Sequence, residues 1–176
     1  VVSTASYEAR KYGVHSAMSM QTAKRLCKNL IVVEGNYHHY KEVSTQLHAI
    51  FHDYTDIIEP ISLDEAFLDV TVNKKGFELA VDIAKEIKQR IKSELNLTAS
   101  AGISYNKLLA KIASDYRKPD GICTIHPDKA LEFVAKLPVE DLWGVGKKTA
   151  QRMHYMGIFN GEQLRSCSLQ HLITMF

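Results

Sequence analysis

The chain has 176 residues, of which 45% are hydrophobic and 24% are charged, a composition typical of one large or two small globular domains. No apolar run approaches the roughly 20 residues that span a bilayer, and no signal peptide is visible, which argues against membrane-spanning and secreted classes. Three distant cysteines predict neither a disulfide framework nor a zinc site, and they fit a reducing cytoplasm: Cys27, Cys123 and Cys167.

The net charge of +2 conceals two basic segments around an acidic centre. Residues 1–28 contain five basic side chains against one acidic one, and residues 105–119 contain four against one. Most acidic residues lie between these segments. This pattern suits a polyanion held near a metal ion, and chance variation along an amphipathic surface explains the charges equally well.

The first elements in chain order are a strand, a helix and two further strands. Val1 and Val2 are strand-like, so the chain is expected to open inside a strand. Residues 41–54 carry apolar side chains at helical spacing and predict a helix with one buried face. Two short apolar runs, at 57–62 and 67–72, predict the strands that follow.

A second series of elements follows the turn at 73–76. Residues 77–95 predict a long helix with an apolar stripe, and residues 97–103 predict a strand. A helix over 106–116 and a short strand over 122–125 flank the turn sequence Lys-Pro-Asp-Gly at 118–121.

The central order is therefore helix, strand, strand, helix, strand. One more strand in front, upstream of Val1, would complete the β-α-β-β-α-β order of a ferredoxin-like fold. Right-handed crossovers would place both helices on one face of an antiparallel sheet and leave the other face for a partner or substrate. The predicted fold class is α+β.

Two adjacent carboxylates, Asp64 and Glu65, lie between the two middle strands. Neighbouring side chains of a flat strand point to opposite faces, so this pair converges on one ion only where the chain bends. Two carboxylates at a hairpin tip make a good oxygen-ligand site for Mg²⁺. A solvated turn with two surface acids is the alternative.

Residues 126–176 differ in character and contain a glycine-bearing turn between helices. A helix over 127–136 stops before Pro138, and the sequence Leu-Trp-Gly-Val-Gly-Lys-Lys-Thr at 142–149 precedes another apolar helical series. This is the helix-hairpin-helix pattern, in which glycines admit a phosphate to a helix N-terminus and lysines attract it. A turn in a helical bundle is the alternative to DNA binding by Gly144, Gly146, Lys147 and Lys148.

Five motifs occur in order: YEARKYGV at 7–14, SLDEAFLDV at 62–70, AGISYNK at 101–107, AKIASD at 110–115 and KPDG at 118–121. Together they closely resemble the Y-family translesion DNA polymerases of the bacterial DNA polymerase IV type. The resemblance covers essentially the whole chain.

The resemblance implies a right-hand architecture, with fingers at 1–35, a palm at 36–125 and a thumb at 126–176. It places the first palm strand, with another metal-binding aspartate and an aromatic gate against ribonucleotides, before Val1. It places a little-finger domain after Phe176. Both ends of the chain are then cuts, and the chain by itself is expected to be inactive.

The resemblance also implies roles for individual residues. Asp64 would bind both of two Mg²⁺ ions and Glu65 the catalytic one. Hydroxyl, phenol, guanidinium and ammonium donors would hold the incoming triphosphate, and a small serine would lie over the nascent base pair. These nucleotide-binding residues are Ser3, Thr4, Tyr7, Arg10 and Lys118.

The implied function is template-directed DNA synthesis by a monomeric protein of the bacterial cytoplasm, without a membrane. Its partners would be primer-template DNA, a deoxynucleoside triphosphate and, through missing C-terminal regions, a sliding clamp. A catalytically dead, polymerase-like DNA-binding accessory protein is the alternative. A nucleotide cyclase is a weaker one, because a cyclase has no DNA for a helix-hairpin-helix to hold.

Overall fold

The computed structural model describes residues 1–176, which form two compact units, Val1–Tyr37 and His38–Phe176. The first unit contains α1 (Tyr7–Arg10) and α2 (Met20–Leu26), packed around a small core of Val2, Ala9, Val14 and Ala23. The strand predicted at the start of the chain is wrong. Val2 exchanges backbone hydrogen bonds only with Ala17 and Met18, and one such exchange does not make a ladder.

The second unit begins with two helices around a hairpin. Its elements are α3 (Tyr37–His52), β1 (Ile58–Pro60), β2 (Ala66–Leu68) and α4 (Ala80–Leu95). The strands are antiparallel, with Ile58 opposite Leu68. Both helices and the hairpin confirm the prediction, although each strand is only three residues long. The core between them consists of Ile50, Phe51, Tyr54, Ile83, Ile87 and Ile91.

A parallel pair of strands follows the hairpin: β3 (Ala101–Ile103), α5 (Lys107–Tyr116) and β4 (Ile122–Thr124). Because a helix connects β3 to β4, the two strands run in the same direction and pair in parallel. The sequence predicted both of these strands but not their pairing with each other. The second unit has two separate two-stranded sheets, β1-β2 and β3-β4.

The remainder of the second unit is helical, as predicted. It comprises α6 (Pro127–Lys136), a 3₁₀ turn at Val139–Asp141, α7 (Lys147–Tyr155), α8 (Gly161–Ser166) and α9 (Leu169–Met175). Their core includes Val139, Ala150, Met153 and Ile158. None of the helices in the chain has both the length and the apolar character needed to cross a membrane.

Gly102 allows β3 to lie directly against α5. A Cβ at this position would be 2.0 Å from the backbone oxygen of Ala110 and 2.3 Å from the backbone nitrogen of Ser114. Backbone atoms in the middle of a helix cannot withdraw separately, so any larger side chain displaces α5 as a whole. Glycine at this position therefore fixes the distance between α5 and the sheet.

We expect Gly102→Ala to destabilise the protein by about 1–3 kcal/mol, the usual cost of overpacking, because the added methyl overlaps the α5 backbone. The free energy of unfolding, measured by urea denaturation, tests this. Gly146→Ala is the matched control, since Gly146 has φ −79° and nothing within 4 Å of an added Cβ. Equal stabilities for the two variants would contradict the expectation.

Candidate active site

The two adjacent carboxylates lie at the tip of the β1-β2 hairpin. The backbone N–H groups of Ile61 and Ser62 both donate to the carbonyl oxygen of Glu65, at 2.8 and 3.2 Å, and close the turn. Asp64 is exposed and accepts a 2.6 Å hydrogen bond from the Ser62 hydroxyl, whereas Glu65 is half-buried. The structure confirms the predicted bend, and we call residues 61–65 the acid hairpin.

Glu65 is held by a lysine from α5. Lys111 Nζ lies 2.7 Å from Glu65 Oε1 and 3.4 Å from Asp115 Oδ2, and the Lys111 side chain is only 13% exposed. Asp115 Oδ1 in turn lies 2.6 Å from Lys118 Nζ. Four alternating charges therefore run from the acid hairpin to the turn after α5, and we call Glu65, Lys111, Asp115 and Lys118 the charge chain.

Burial and neighbouring charges have opposite effects on the pKa values of Lys111 and Asp115, the two middle residues of the charge chain. Burial disfavours the ammonium form of Lys111, but its hydrogen bond to Glu65 and the charge of Asp115 outweigh that and raise the pKa of Lys111. Burial likewise disfavours the Asp115 carboxylate, and the hydrogen bond from Lys118 with the charge of Lys111 lowers the pKa of Asp115. Both residues therefore remain charged at neutral pH.

The turn that carries Lys118 is fixed from the neighbouring helix. Lys88 of α4 is largely buried, lies 2.9 Å from Asp120 Oδ1 and donates to the Asp120 backbone oxygen. The Lys118–Pro119 peptide bond is cis. Asp115 thus pairs with Lys118 at the start of the turn, and Lys88 pairs with Asp120 near its end. The exposed Lys118 ammonium is therefore carried by a fixed turn and has a fixed ion-pair partner.

Sequence reasoning missed Lys111, Asp115 and Lys88 as parts of the site. The spacing of Lys111 and Asp115, four residues apart on a helix, indicates a local pair. Nothing in the sequence indicates that Lys111 also reaches Glu65, which is 46 positions away.

The nucleotide-binding residues predicted near the start lie in the first unit. Ser6 caps α1 by accepting from the N–H of Ala9, and the helix presents Tyr7 and Arg10 on one side, as predicted. The Arg10 guanidinium carbon is 6.0 Å from the centre of the Tyr7 ring, and Arg10 Nε donates to the Ala5 oxygen at 2.9 Å. The two remaining residues precede α1 and are exposed: Ser3 and Thr4.

The turn before α7 has the predicted form. Gly144 has φ +96°, which glycine adopts without strain, whereas Gly146 has an ordinary φ of −79° and caps α7 without a side-chain hydrogen bond. The first N–H groups of a helix have no intrahelical partner. The open surface at Gly146 therefore leaves backbone donors accessible beside two exposed lysines, Lys147 and Lys148.

One aromatic contact joins this turn to the acid hairpin. The Trp143 and Phe67 rings meet edge to face, with centres 5.8 Å apart and planes at 71°. Phe67 belongs to β2, immediately after Glu65 and Ala66. Trp143 is 48% exposed and packs with one edge of its ring on the strand that leaves the acid hairpin.

The donor set of the acid hairpin fits Mg²⁺ better than zinc. Asp64 and Glu65 offer only oxygen donors, and no group of three or more histidine, cysteine or acidic side chains is arranged to hold a metal ion. Zinc requires three or four protein ligands, whereas Mg²⁺ keeps several waters and is held by one or two carboxylates together with substrate phosphates. Their metal-binding roles remain predictions.

Known proteins match the chain along nearly all of its length. Residues 1–115 match the model of the impB/mucB/samB family, and residues 127–158 match the helix-hairpin-helix motif of that family. DNA polymerase IV of Bacteroides fragilis is 68% identical over all 176 residues, which are 48% of its own length. The chain thus spans about half the length of the curated relatives it matches.

Solved structures show the same fold. The crystal structure of DinB from Sulfolobus solfataricus has a TM-score of 0.91 at 33% identity, over 99% of this chain and 51% of that one. An insertion ternary complex of Dbh DNA polymerase has a TM-score of 0.90 at 34% identity, with the same coverage. The chain therefore belongs to the impB/mucB/samB family and is of the Y-family DNA polymerase IV type.

Proposed function

We propose that the whole protein is a DNA-directed DNA polymerase of the translesion type, and that this chain supplies part of its catalytic and DNA-holding apparatus. The observation that carries the proposal is the acid hairpin, in which the fold places two carboxylates at one bend and a largely buried lysine behind them. The match of all 176 residues to about half of DNA polymerase IV supports it.

Asp64 and Glu65 are the proposed metal ligands. When bound, two Mg²⁺ ions would lower the pKa of the primer hydroxyl and neutralise charge on the transferred phosphate. Asp64 presents a carboxylate to solvent from the tip, and Ser62 orients it. Glu65 is held in place by Lys111, which also offsets the repulsion between the two neighbouring acids.

The incoming deoxynucleoside triphosphate is the proposed ligand of two exposed groups of donors. Arg10 stacks near Tyr7 and is oriented by the Ala5 oxygen, which leaves guanidinium N–H groups for phosphate oxygens. Thr4 adds a hydroxyl, and Lys118 adds an ammonium on its anchored turn. Ser3 is small enough to lie over a damaged base pair.

Primer-template DNA is the proposed ligand of the turn before α7. Backbone donors at Gly144 and Gly146 and the charges of Lys147 and Lys148 recognise phosphate without reading sequence. The proposal also assigns fingers to 1–35, palm to 36–125 and thumb to 126–176, in a monomer of the bacterial cytoplasm.

Asp64→Ala or Glu65→Ala is expected to reduce primer extension by more than about 100-fold, beyond the loss typical of outer-shell groups around a metal, because each removes a proposed ligand. The assay uses a protein of the relatives' full length that carries this chain, with Mg²⁺ and deoxynucleotides. Asp69→Asn is the control, since Asp69 follows the same hairpin and accepts hydrogen bonds from Thr71.

Normal extension by Asp64→Ala would show that the metal assignment is wrong. Absence of extension by the unaltered protein, together with tight DNA binding, would instead favour the accessory-protein alternative.

Gly146→Ala is expected to weaken binding to primer-template DNA by about fivefold, corresponding to about 1 kcal/mol, without loss of stability. The added methyl meets no protein atom, so it obstructs only a ligand that approaches the N-terminus of α7. Fluorescence anisotropy against salt measures this, and Lys147→Gln or Lys148→Gln should each reduce the salt slope by about one.

Lys136→Gln serves as the control for charge, because Lys136 is exposed on α6 and pairs with Glu132. If Gly146→Ala bound DNA as tightly as the unaltered protein, the turn would be a structural feature of the helical bundle.

A further inference from the structure

The middle residues of the charge chain each divide their interactions between two partners. Lys111 has carboxylate oxygens of two residues within 3.4 Å, with Glu65 the closer at 2.7 Å. Asp115 uses one oxygen for Lys111 and the other for Lys118. A residue that loses one partner can therefore turn its whole charge to the other.

The members of the charge chain differ in their exposure to solvent, and this affects how strongly each one interacts with its two partners. The Lys111 side chain is 13% exposed, whereas Lys118 and Asp115 are 41% and 51% exposed. Water and salt screen a buried charge less than a surface charge. The attraction between Lys111 and its two carboxylates is therefore weakly screened. Lys118, at the exposed end of the charge chain, can exchange Asp115 for another anion.

We propose that Lys111 and Asp115 are positioning residues that couple cation binding at Glu65 to the availability of Lys118 for phosphate. The inference rests on the proposed function of the acid hairpin and of Lys118. A divalent cation at Glu65 competes with Lys111, and Lys111 then pairs with Asp115 alone. Asp115, now satisfied by Lys111, holds Lys118 less firmly, and Lys118 is released to an anion. By linkage, phosphate at Lys118 favours the cation to the same extent.

Two variants that break the chain at different points should move two affinities in opposite directions. In Lys111→Met, Glu65 loses its competitor and Asp115 turns wholly to Lys118, so Mn²⁺ binds more tightly and tripolyphosphate more weakly. In Asp115→Asn, Lys118 is released and Lys111 turns wholly to Glu65, so tripolyphosphate binds more tightly and Mn²⁺ more weakly. We expect changes of about fivefold, at the lower end of typical coupling.

Each probe is used alone, so that Mn²⁺ and tripolyphosphate do not chelate each other. Electron paramagnetic resonance of free Mn²⁺ gives the affinity for the cation. Calorimetry in a buffer that contains a metal chelator gives the affinity for tripolyphosphate. Circular dichroism verifies that each variant is folded. A variant that merely damages the structure would weaken both affinities together.

A charge-matched control separates the chain from the general field. Lys107 lies one turn earlier on α5, carries the same charge and pairs with Glu59 of the same hairpin. Lys107→Met should leave both affinities within about twofold of the unaltered protein, although Lys107 is more exposed than Lys111 and its charge is screened more strongly.

The double variant Lys111→Met/Asp115→Asn supplies a second criterion. Asp115 acts on Glu65 only through Lys111, so Asp115→Asn should not change Mn²⁺ affinity further once Lys111 is absent. Independent effects would add instead. Additive effects, shifts of the same sign, or a Lys107→Met shift equal to that of Lys111→Met would each overturn the coupling.

Failure of the proposed metal site gives a different result from failure of the coupling. If the unaltered protein and Asp64→Ala bind Mn²⁺ equally, the acid hairpin is not the metal site, and the inference falls with it. If Asp64→Ala weakens Mn²⁺ binding but the two variants show no opposite shifts, the metal site stands and only the coupling is wrong.

Discussion

The ion pair between Lys111 and Glu65 is the interaction on which the arrangement of the site depends. It joins the tip of a short hairpin to the middle of α5, across 46 positions of the chain. A largely buried ammonium without a partner would be costly, and a carboxylate beside Asp64 without a counter-charge would be repelled. Each residue thus satisfies a requirement of the other, and the pair fixes one orientation of Glu65.

Gly102 sets the distance between the β3-β4 sheet and α5, the helix that carries Lys111. The backbone of α5 at Ala110 and Ser114 lies so close to β3 that only the hydrogen atom of a glycine fits at position 102. Lys111 and Asp115 lie on the same segment of α5. A constraint on packing, exerted by the absence of a side chain, therefore determines where two charges of the site are placed.

The sequence was sufficient for features that depend on neighbouring residues. The bend at Asp64 and Glu65 follows from two apolar strands around two acids, and the turn at Gly144 follows from its glycines. It was insufficient where partners are remote. The residues at Val1 form no strand, and the parallel pairing of β3 with β4 was not predicted. Lys111 was recognised only as part of a motif. A helical face shows that Lys111 is turned inward or outward, but not which carboxylate it meets.

Trp143 connects the turn before α7 to the strand that leaves the acid hairpin. The Trp143 ring contacts the ring of Phe67, which is two residues beyond Glu65. The ammonium nitrogen of Lys107 lies 5.9 Å from the centre of the same Phe67 ring. Phe67 also lies directly opposite Glu59 in the strand pair. Displacement of the turn would thus be transmitted to β2 near its first residue. Because β2 has only three residues and begins immediately after Glu65, a shift of Phe67 would act close to the proposed metal ligands, through this one aromatic contact.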